Sequence, residues 1–241
     1  MGKPDIIYED NDIIICYKPA GIATQTRRIG QQDMESFIRN YRAAKNEPPY
    51  VGIVHRLDQP VEGVMVFAKN QKAAASLSRQ IKEHTTEKYY RAASRGQGVS
   101  GAAVEDEEAW HTLTDYISFD KRTNTSKITS EKDRLAKKAV LQYRVISVTP
   151  DRDSSQNECI RTEFDIKLLT GRHHQIRLQL ANIGYPLIGD TKYGKPASNN
   201  SGTGSKSGRT GGGVREQLAL CSYKIVFDHP ATGERMTFEL P

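Results

Sequence analysis

Ile53-Val54-His55-Arg56-Leu57-Asp58-Gln59-Pro60-Val61-Glu62-Gly63-Val64-Met65-Val66-Phe67-Ala68-Lys69 is the stretch around which the rest of the chain is read. An apolar lead-in reaches a basic pair, a leucine and a lone carboxylate, and a turn then leads into a second apolar run. Pro60 fixes its own φ and Gly63 tolerates left-handed geometry, so residues 58–63 are expected to form a tight loop. Val64 to Ala68 reads as a buried strand, five apolar residues bounded by Gly and Lys. Asp58 therefore belongs on a rigid loop between buried elements, a common setting for a catalytic group. The residues alone support equally well a bland reading, in which Arg56 and Asp58 form a surface ion pair.

The second informative stretch is Leu168-Leu169-Thr170-Gly171-Arg172-His173-His174-Gln175-Ile176-Arg177-Leu178-Gln179-Leu180-Ala181-Asn182-Ile183-Gly184. A strand over Phe164, Ile166 and Leu168 ends at the Thr-Gly turn, and a helix follows with Ile176, Leu180 and Ile183 on one face and Gly184 at its C′ position. Arg172 and His173 fall at that junction, where free backbone N–H groups attract anions.

Between and around these stretches the pattern is mixed. Residues 6–19 read as two strands joined by an acidic turn. Residues 33–44 read as a helix capped by Asp33, and Asn70 caps another in which Ala74, Leu77 and Ile81 share a face. Lys72, Arg79 and Lys82 on that helix read as a solvated face in preference to part of an RNA-facing patch. Strands are expected over 87–93, 110–117 and 141–148, with a polar, basic connection over 120–138 that can either grip phosphates or simply stay solvated. On the first of these strands, Tyr89 and Tyr90 must point to opposite sides. Residues 96–108 and 151–158 read as turns. Residues 195–213, rich in Ser, Gly and Asn, read as a flexible low-complexity loop. The chain closes on a hairpin built from 218–227 and 236–240.

The 241 residues suit one large domain or two small ones. Lys plus Arg exceed Asp plus Glu by 35 − 29 = 6, a balance that favours a polyanionic partner such as nucleic acid. No apolar run approaches the ~20 residues of a membrane helix, and the N-terminus carries no signal core, so a cytoplasmic location is expected. Cys16, Cys159 and Cys221 are far apart and read as buried thiols. No Cys or carboxylate stands at ligand spacing around His173-His174, so no metal site is expected.

His55-Arg56-Leu57-Asp58, followed by Gly63, an apolar run and Ala68-Lys69, resembles the active-site motif of the RluA-type RNA pseudouridine synthases. Lys18-Pro19-Ala20-Gly21 resembles that family's Lys-Pro-x-Gly. Lys88, Tyr90 and Ala92 match its Lys-x-Tyr-x-Ala strand. Residues 171–177 match its Gly-Arg-x-His-Gln-Ile-Arg motif, with Gly189-Asp190 as sequel.

The resemblance covers nearly the full length. It implies a mixed α/β (α+β) fold, with a largely antiparallel central sheet and flanking helices. It further implies a single catalytic domain over 1–241 with no N-terminal RNA-binding module. In that reading Asp58 is the nucleophile, Arg177 pairs with it and keeps it ionised, and Tyr90 stands in the active site with Tyr89 as a packing residue. Lys18, Arg56, Arg172, His173 and Gln175 contact the RNA. The implied activity is isomerisation of particular uridines in structured ribosomal or transfer RNA by a monomer needing no cofactor or metal.

One departure stands out. The family continues its Asp motif with Thr-Ser-Gly, where this chain has Val61-Glu62-Gly63. That motivates an alternative, an RNA-binding or assembly protein of the same fold with weak catalysis. A glycoside hydrolase, with Glu62 as second carboxylate, is a more distant one.

Overall fold

The computed structural model describes residues 3–26, 28, 30–96, 109–152, 156–194 and 216–241. The expected turn at 96–108 and the loop at 195–213 lie essentially outside them. Eleven strands form one sheet: β1 (Asp5–Glu9), β2 (Ile13–Lys18), β3 (Gly52–Ile53), β4 (Glu62–Ala68), β5 (Glu87–Gly96), β6 (His111–Asp120), β7 (Thr125–Thr129), β8 (Lys137–Arg152), β9 (Glu158–Leu168), β10 (Leu220–Asp228) and β11 (Arg235–Glu239). Among the described residues three helices accompany them, α1 (Met34–Ala44), α2 (Gln71–Lys82) and α3 (Gln175–Asn182). The spatial order is β1-β2-β4-β10-β5-β9-β8-β6-β7, with β3 beside β4 and β11 beside β10. Every ladder is antiparallel except the short parallel join of β4 to β10. This is the mixed, mostly antiparallel architecture that the resemblance implies.

The contiguous apolar runs of β2 and β4 are buried on both faces, which is why they do not alternate. Ile14, Cys16, Met65 and Phe67 pack toward α1 through Met34 and Ile38. Ile13, Ile15, Val64 and Val66 pack the opposite way, with Ala73 and Leu77 of α2 and Phe227 of β10. Asp33 caps α1 as expected, its carboxylate taking the Ser36 N–H while the Ser36 hydroxyl receives the Asp33 N–H. Asn70 caps α2 through the Ala73 N–H. A third apolar group, Ile117, Ala139 and Leu178, packs α3 onto β6 and β8.

Two boundaries differ from the sequence reading. The basic connection over 120–138 contains β7, paired with β6 from Tyr116↔Thr129 to Asp120↔Thr125. β8 also runs on to Arg152, ladder-paired with β9 as far as Glu158. Cys16 is buried, while Cys159 and Cys221 are only partly so.

Candidate active site

The loop that carries Asp58 is fixed from several sides. The Val61 N–H donates to the Asp58 carbonyl (3.0 Å), closing the turn over Gln59-Pro60. Leu57 is buried, and both its N–H and its carbonyl bond the Thr24 hydroxyl, at 3.2 and 3.0 Å. The Gly21 N–H donates to the Gln59 carbonyl (2.8 Å), and the Gln59 amide returns a bond to the Gly21 carbonyl (2.9 Å). His55 accepts the Val66 N–H through Nε2 (3.1 Å), and burial pushes its imidazole down to about 3, so it serves as a neutral acceptor at the β4 edge. The Asp58 loop is thus held to β2's outgoing turn on one side and to β4 on the other.

Asp58 lines a cavity of about 660 Å³ with Tyr90, Leu168, His174 and Arg177. Its carboxylate lies 3.6 Å from Arg177 Nη1 and 3.5 Å from His174 Nε2. Arg177 is committed elsewhere: its fork holds Asp190 in two parallel bonds, Nε–Oδ2 at 2.7 Å and Nη2–Oδ1 at 2.8 Å. Asp190 also accepts the N–H groups of Lys192 and Tyr193. Burial raises the Asp58 pKa above the usual carboxylate value and outweighs the opposing charges of Arg177, His173 and Lys192. The pairing of Arg177 with Asp58 that the resemblance implies is present, and Arg177 opposes the rise in pKa without cancelling it. The guanidinium stands by Asp58, but its best geometry is given to Asp190.

His174 occupies a left-handed conformation at φ +54°, as the N-cap of α3, a position that brings the residue before the helix beneath Asp58. Its Nδ1 lies 2.9 Å from the Tyr193 hydroxyl, which itself accepts the Ser126 N–H at 2.8 Å. The arrangement that gives each proton an acceptor has the phenol donating to Nδ1 and leaves the imidazole proton on Nε2, facing Asp58. The opposite tautomer would set a lone pair against the carboxylate. Burial and then Arg177 depress the His174 pKa to about 3, so the ring is neutral. Tyr90 is buried on β5, its hydroxyl against Ser222; burial raises its pKa, so it stays a protonated phenol.

A model described as RNA pseudouridylate synthase matches residues 12–182. The chain belongs to that family. The uncharacterized RNA pseudouridine synthase YhcT of Bacillus subtilis is 31% identical over 100% of this chain and 69% of its own length. The ribosomal large subunit pseudouridine synthase D of Vibrio parahaemolyticus is 32% identical over 98% of this chain and 66% of its own. The Neisseria meningitidis serogroup B protein of the same name is 30% identical, and the chain spans 58% of its length. Human RNA pseudouridylate synthase domain containing 1 shares the fold, with a TM-score of 0.69 at 23% identity over 99% of this chain and 83% of the other.

Against the family pattern, the sequence-derived residues separate into two groups. Asp58, Tyr90 and Arg177 converge on the cavity, and Arg56, Arg172 and His173 line it as well. Arg56 is exposed and bonds Gln25 (3.0 Å). Arg172 is tethered to the Lys138 carbonyl (2.8 Å), and His173 stacks on His174 at 3.7 Å.

Lys18 and Gln175 are buried, Gln175 in the wall of the cavity and Lys18 away from it. Lys18 is fully buried, and its ammonium bonds the carbonyls of Pro19, Ile22 and Gln59, fastening the Asp58 loop to the β2 turn. Burial lowers its pKa to about 8, with Asp58 and Glu62 opposing. Gln175 is likewise buried, and its amide oxygen accepts from the Thr170 hydroxyl and the Arg172 N–H. Lys18 braces the Asp58 loop from behind, and Gln175 fixes the turn into α3. Tyr89 lies partly buried against Tyr223, on the face opposite Tyr90.

His174, Asp190 and Tyr193 escaped the sequence reading as site residues. His174 and Arg177 stand three apart across the start of a helix, so their shared face was a signal available in the spacing. The Val61-Glu62 departure is also placed. Val61 fills the core at 3% exposure, and the Glu62 carboxylate accepts from the Tyr17 hydroxyl (2.8 Å) and the Gln217 amide (3.1 Å). Glu62 opens on a second, smaller cavity and not on the one holding Asp58.

One further cluster, Asp10, Asp12 and His229, has metal-ligand chemistry. Its histidine accepts the Thr232 N–H at Nδ1 (3.1 Å), so a neutral ring carries its proton on Nε2 and donates it to Asp10 (3.0 Å). Neither nitrogen has a lone pair left for a cation.

Proposed function

We propose that the protein isomerises uridines in structured RNA to pseudouridine, with Asp58 as nucleophile. The observation that carries this reading is the Asp58 carboxylate, presented to a large cavity between Tyr90 and Arg177 in a chain of the RNA pseudouridylate synthase family. The relatives named for the ribosomal large subunit favour ribosomal RNA as the substrate class.

The reaction breaks the N1–C1′ bond, turns the uracil and joins C5 to C1′, with loss of the C5 proton. Asp58 forms the transient bond, to C1′ or to C6, and is released when the C5–C1′ bond is complete. A raised pKa suits that role, because a more basic carboxylate is a better nucleophile in its ionised form. Arg177 and the Nε2–H of His174 both face the carboxylate and hold its direction. Buried Tyr90 offers a flat apolar face for the extruded base, and its neutral hydroxyl can pass a proton but not abstract one unaided.

Tritium release from C5-labelled uridine in ribosomal and transfer RNA transcripts tests the reading. Release from a large-subunit ribosomal transcript is expected; release from none of them would overturn it. The pH dependence follows from the sign of the Asp58 shift. The active carboxylate is the ionised form, so kcat/KM climbs with pH through a pKa above the usual carboxylate value of ~4. Replacing Tyr193 with Phe removes the group that fixes the His174 tautomer. The Asp58 anion then loses a donor, and the acid limb of the profile moves to higher pH. An unmoved limb would contradict the hydrogen-bond chain described above.

A further inference from the structure

The cavity holding Asp58 is larger than one pyrimidine requires. It extends past Val54 and His55 toward the end of α2 and the connection into β5, where Ile81, Lys82, His84 and Thr86 line it. Lys88 projects into this arm from β5, two residues before Tyr90 and on the same face of the strand.

Lys88 is partly buried, yet no hydrogen bond or ion pair reaches its ammonium among the described residues. Its neighbour Glu87, on the opposite face, is held by Lys167, Arg235 and Tyr89 together. Among the described residues Asp58 is the only acidic one lining the cavity, and it does not compensate Lys88. Burial alone lowers the Lys88 pKa, with no carboxylate opposing it. Nearby His55 is neutral, and the remaining charged groups of the arm, Lys82 and Arg172, are basic too.

Gly171 completes the arrangement. A Cβ built there would stand 3.7 Å from the Lys88 ammonium, and the backbone at Gly171 is not in the left-handed region that demands glycine. The missing side chain leaves the ammonium open on that side. An ammonium partly withdrawn from water without a counter-charge is unfavourably placed by itself and gains when an anion enters.

We propose that Lys88 binds a phosphodiester of the RNA strand flanking the extruded uridine, in the arm of the cavity that the uridine itself leaves empty. This rests on the reading of the protein as an RNA pseudouridine synthase. The ligand is assigned as a phosphate because the arm offers an uncompensated positive charge, and base edges and ribose hydroxyls carry none. A phosphate there would fix the register of the strand relative to Asp58 without taking part in the chemistry.

The test is the salt dependence of binding and turnover, with a large-subunit ribosomal RNA transcript as probe. Wild type, Lys88→Gln and Lys88→Arg are compared by filter binding, and by tritium release for KM and kcat. For Lys88→Gln, the slope of log Kd against log salt is expected to flatten by about 0.7–0.9, one phosphate contact. KM rises by a larger factor than kcat falls, and Lys88→Arg recovers most of the slope. In a short RNA with one methylphosphonate beside the target uridine, wild type and Lys88→Gln should bind alike. An unchanged slope in a folded Lys88→Gln protein, or a loss in kcat with KM unmoved, would overturn the proposal. Binding is measured without turnover, so the proposal and the assigned activity fail separately: absence of tritium release by wild type sinks the latter alone.

Discussion

Replacing Arg177 with Met is expected to cost the fold about 3–5 kcal/mol and to abolish turnover. The Asp190 side chain is completely buried, and Arg177 is its only cationic partner among the described residues. Removing the guanidinium leaves a carboxylate in the core with just the N–H groups of Lys192 and Tyr193. Asp190 now sits below the usual carboxylate pKa, because its bonds to Arg177 and those N–H groups outweigh burial. In the variant the bonds to Arg177 are gone, and burial pushes the carboxyl back up against only those N–H groups. The second variant separates stability from chemistry. Arg177→Met combined with Asp190→Leu replaces the ion pair by apolar groups and is expected to recover most of the lost stability, by urea unfolding. It should not recover activity, because Asp58 still lacks its cation. Recovery of turnover in the double variant would show that Arg177 acts only through Asp190.

A second large effect is expected from Gly63→Ala. Gly63 has φ +138° and lies where β4 meets β10 in parallel, paired with Ser222. A Cβ there would come within 2.3 Å of the Ser222 carbonyl oxygen and 2.6 Å of its nitrogen. Backbone cannot yield as a flexible side-chain tip would, so either the parallel join opens or the turn from Asp58 shifts. The expected cost exceeds about 4 kcal/mol, at the upper end for single substitutions. Thermal unfolding of the purified variant checks this; a melting temperature near that of wild type would show that the join is not needed. The motif's glycine thereby connects sequence to function. It lets β4 lie close to β10, and β4 starts just where the Asp58 turn ends.

Much of this was legible in the chain. β2 and β4 announce themselves as contiguous apolar runs, since both faces of each are covered. Asp33 and Asn70 mark helix starts by ordinary capping chemistry. Asp58, Tyr90 and Arg177 came from motif resemblance, and no amount of periodicity would have distinguished Tyr90 from Tyr89.

Other features were hidden for physical reasons. β7 has a single large apolar residue, Ile128, and is a strand because β6 offers it a ladder. The burial of Lys18 is not legible in the sequence because lysines are rarely buried, and three converging carbonyls, one of them from Gln59, make the exception. Arg177 has two carboxylates within reach, and sequence order does not say which one receives its fork. The empty surroundings of Lys88 are a property of packing alone.

The central claim is that Asp58 makes and breaks the transient bond to the uridine. The most direct measurement compares C5-tritium release by wild type and Asp58→Asn on the same ribosomal RNA transcript, with RNA binding measured alongside. Asparagine keeps the shape of the carboxylate and its place on the clamped loop, so binding should persist. Release should fall by on the order of 10⁴-fold or more, the scale seen when a nucleophile is removed. Release by Asp58→Asn within tenfold of wild type would contradict the account.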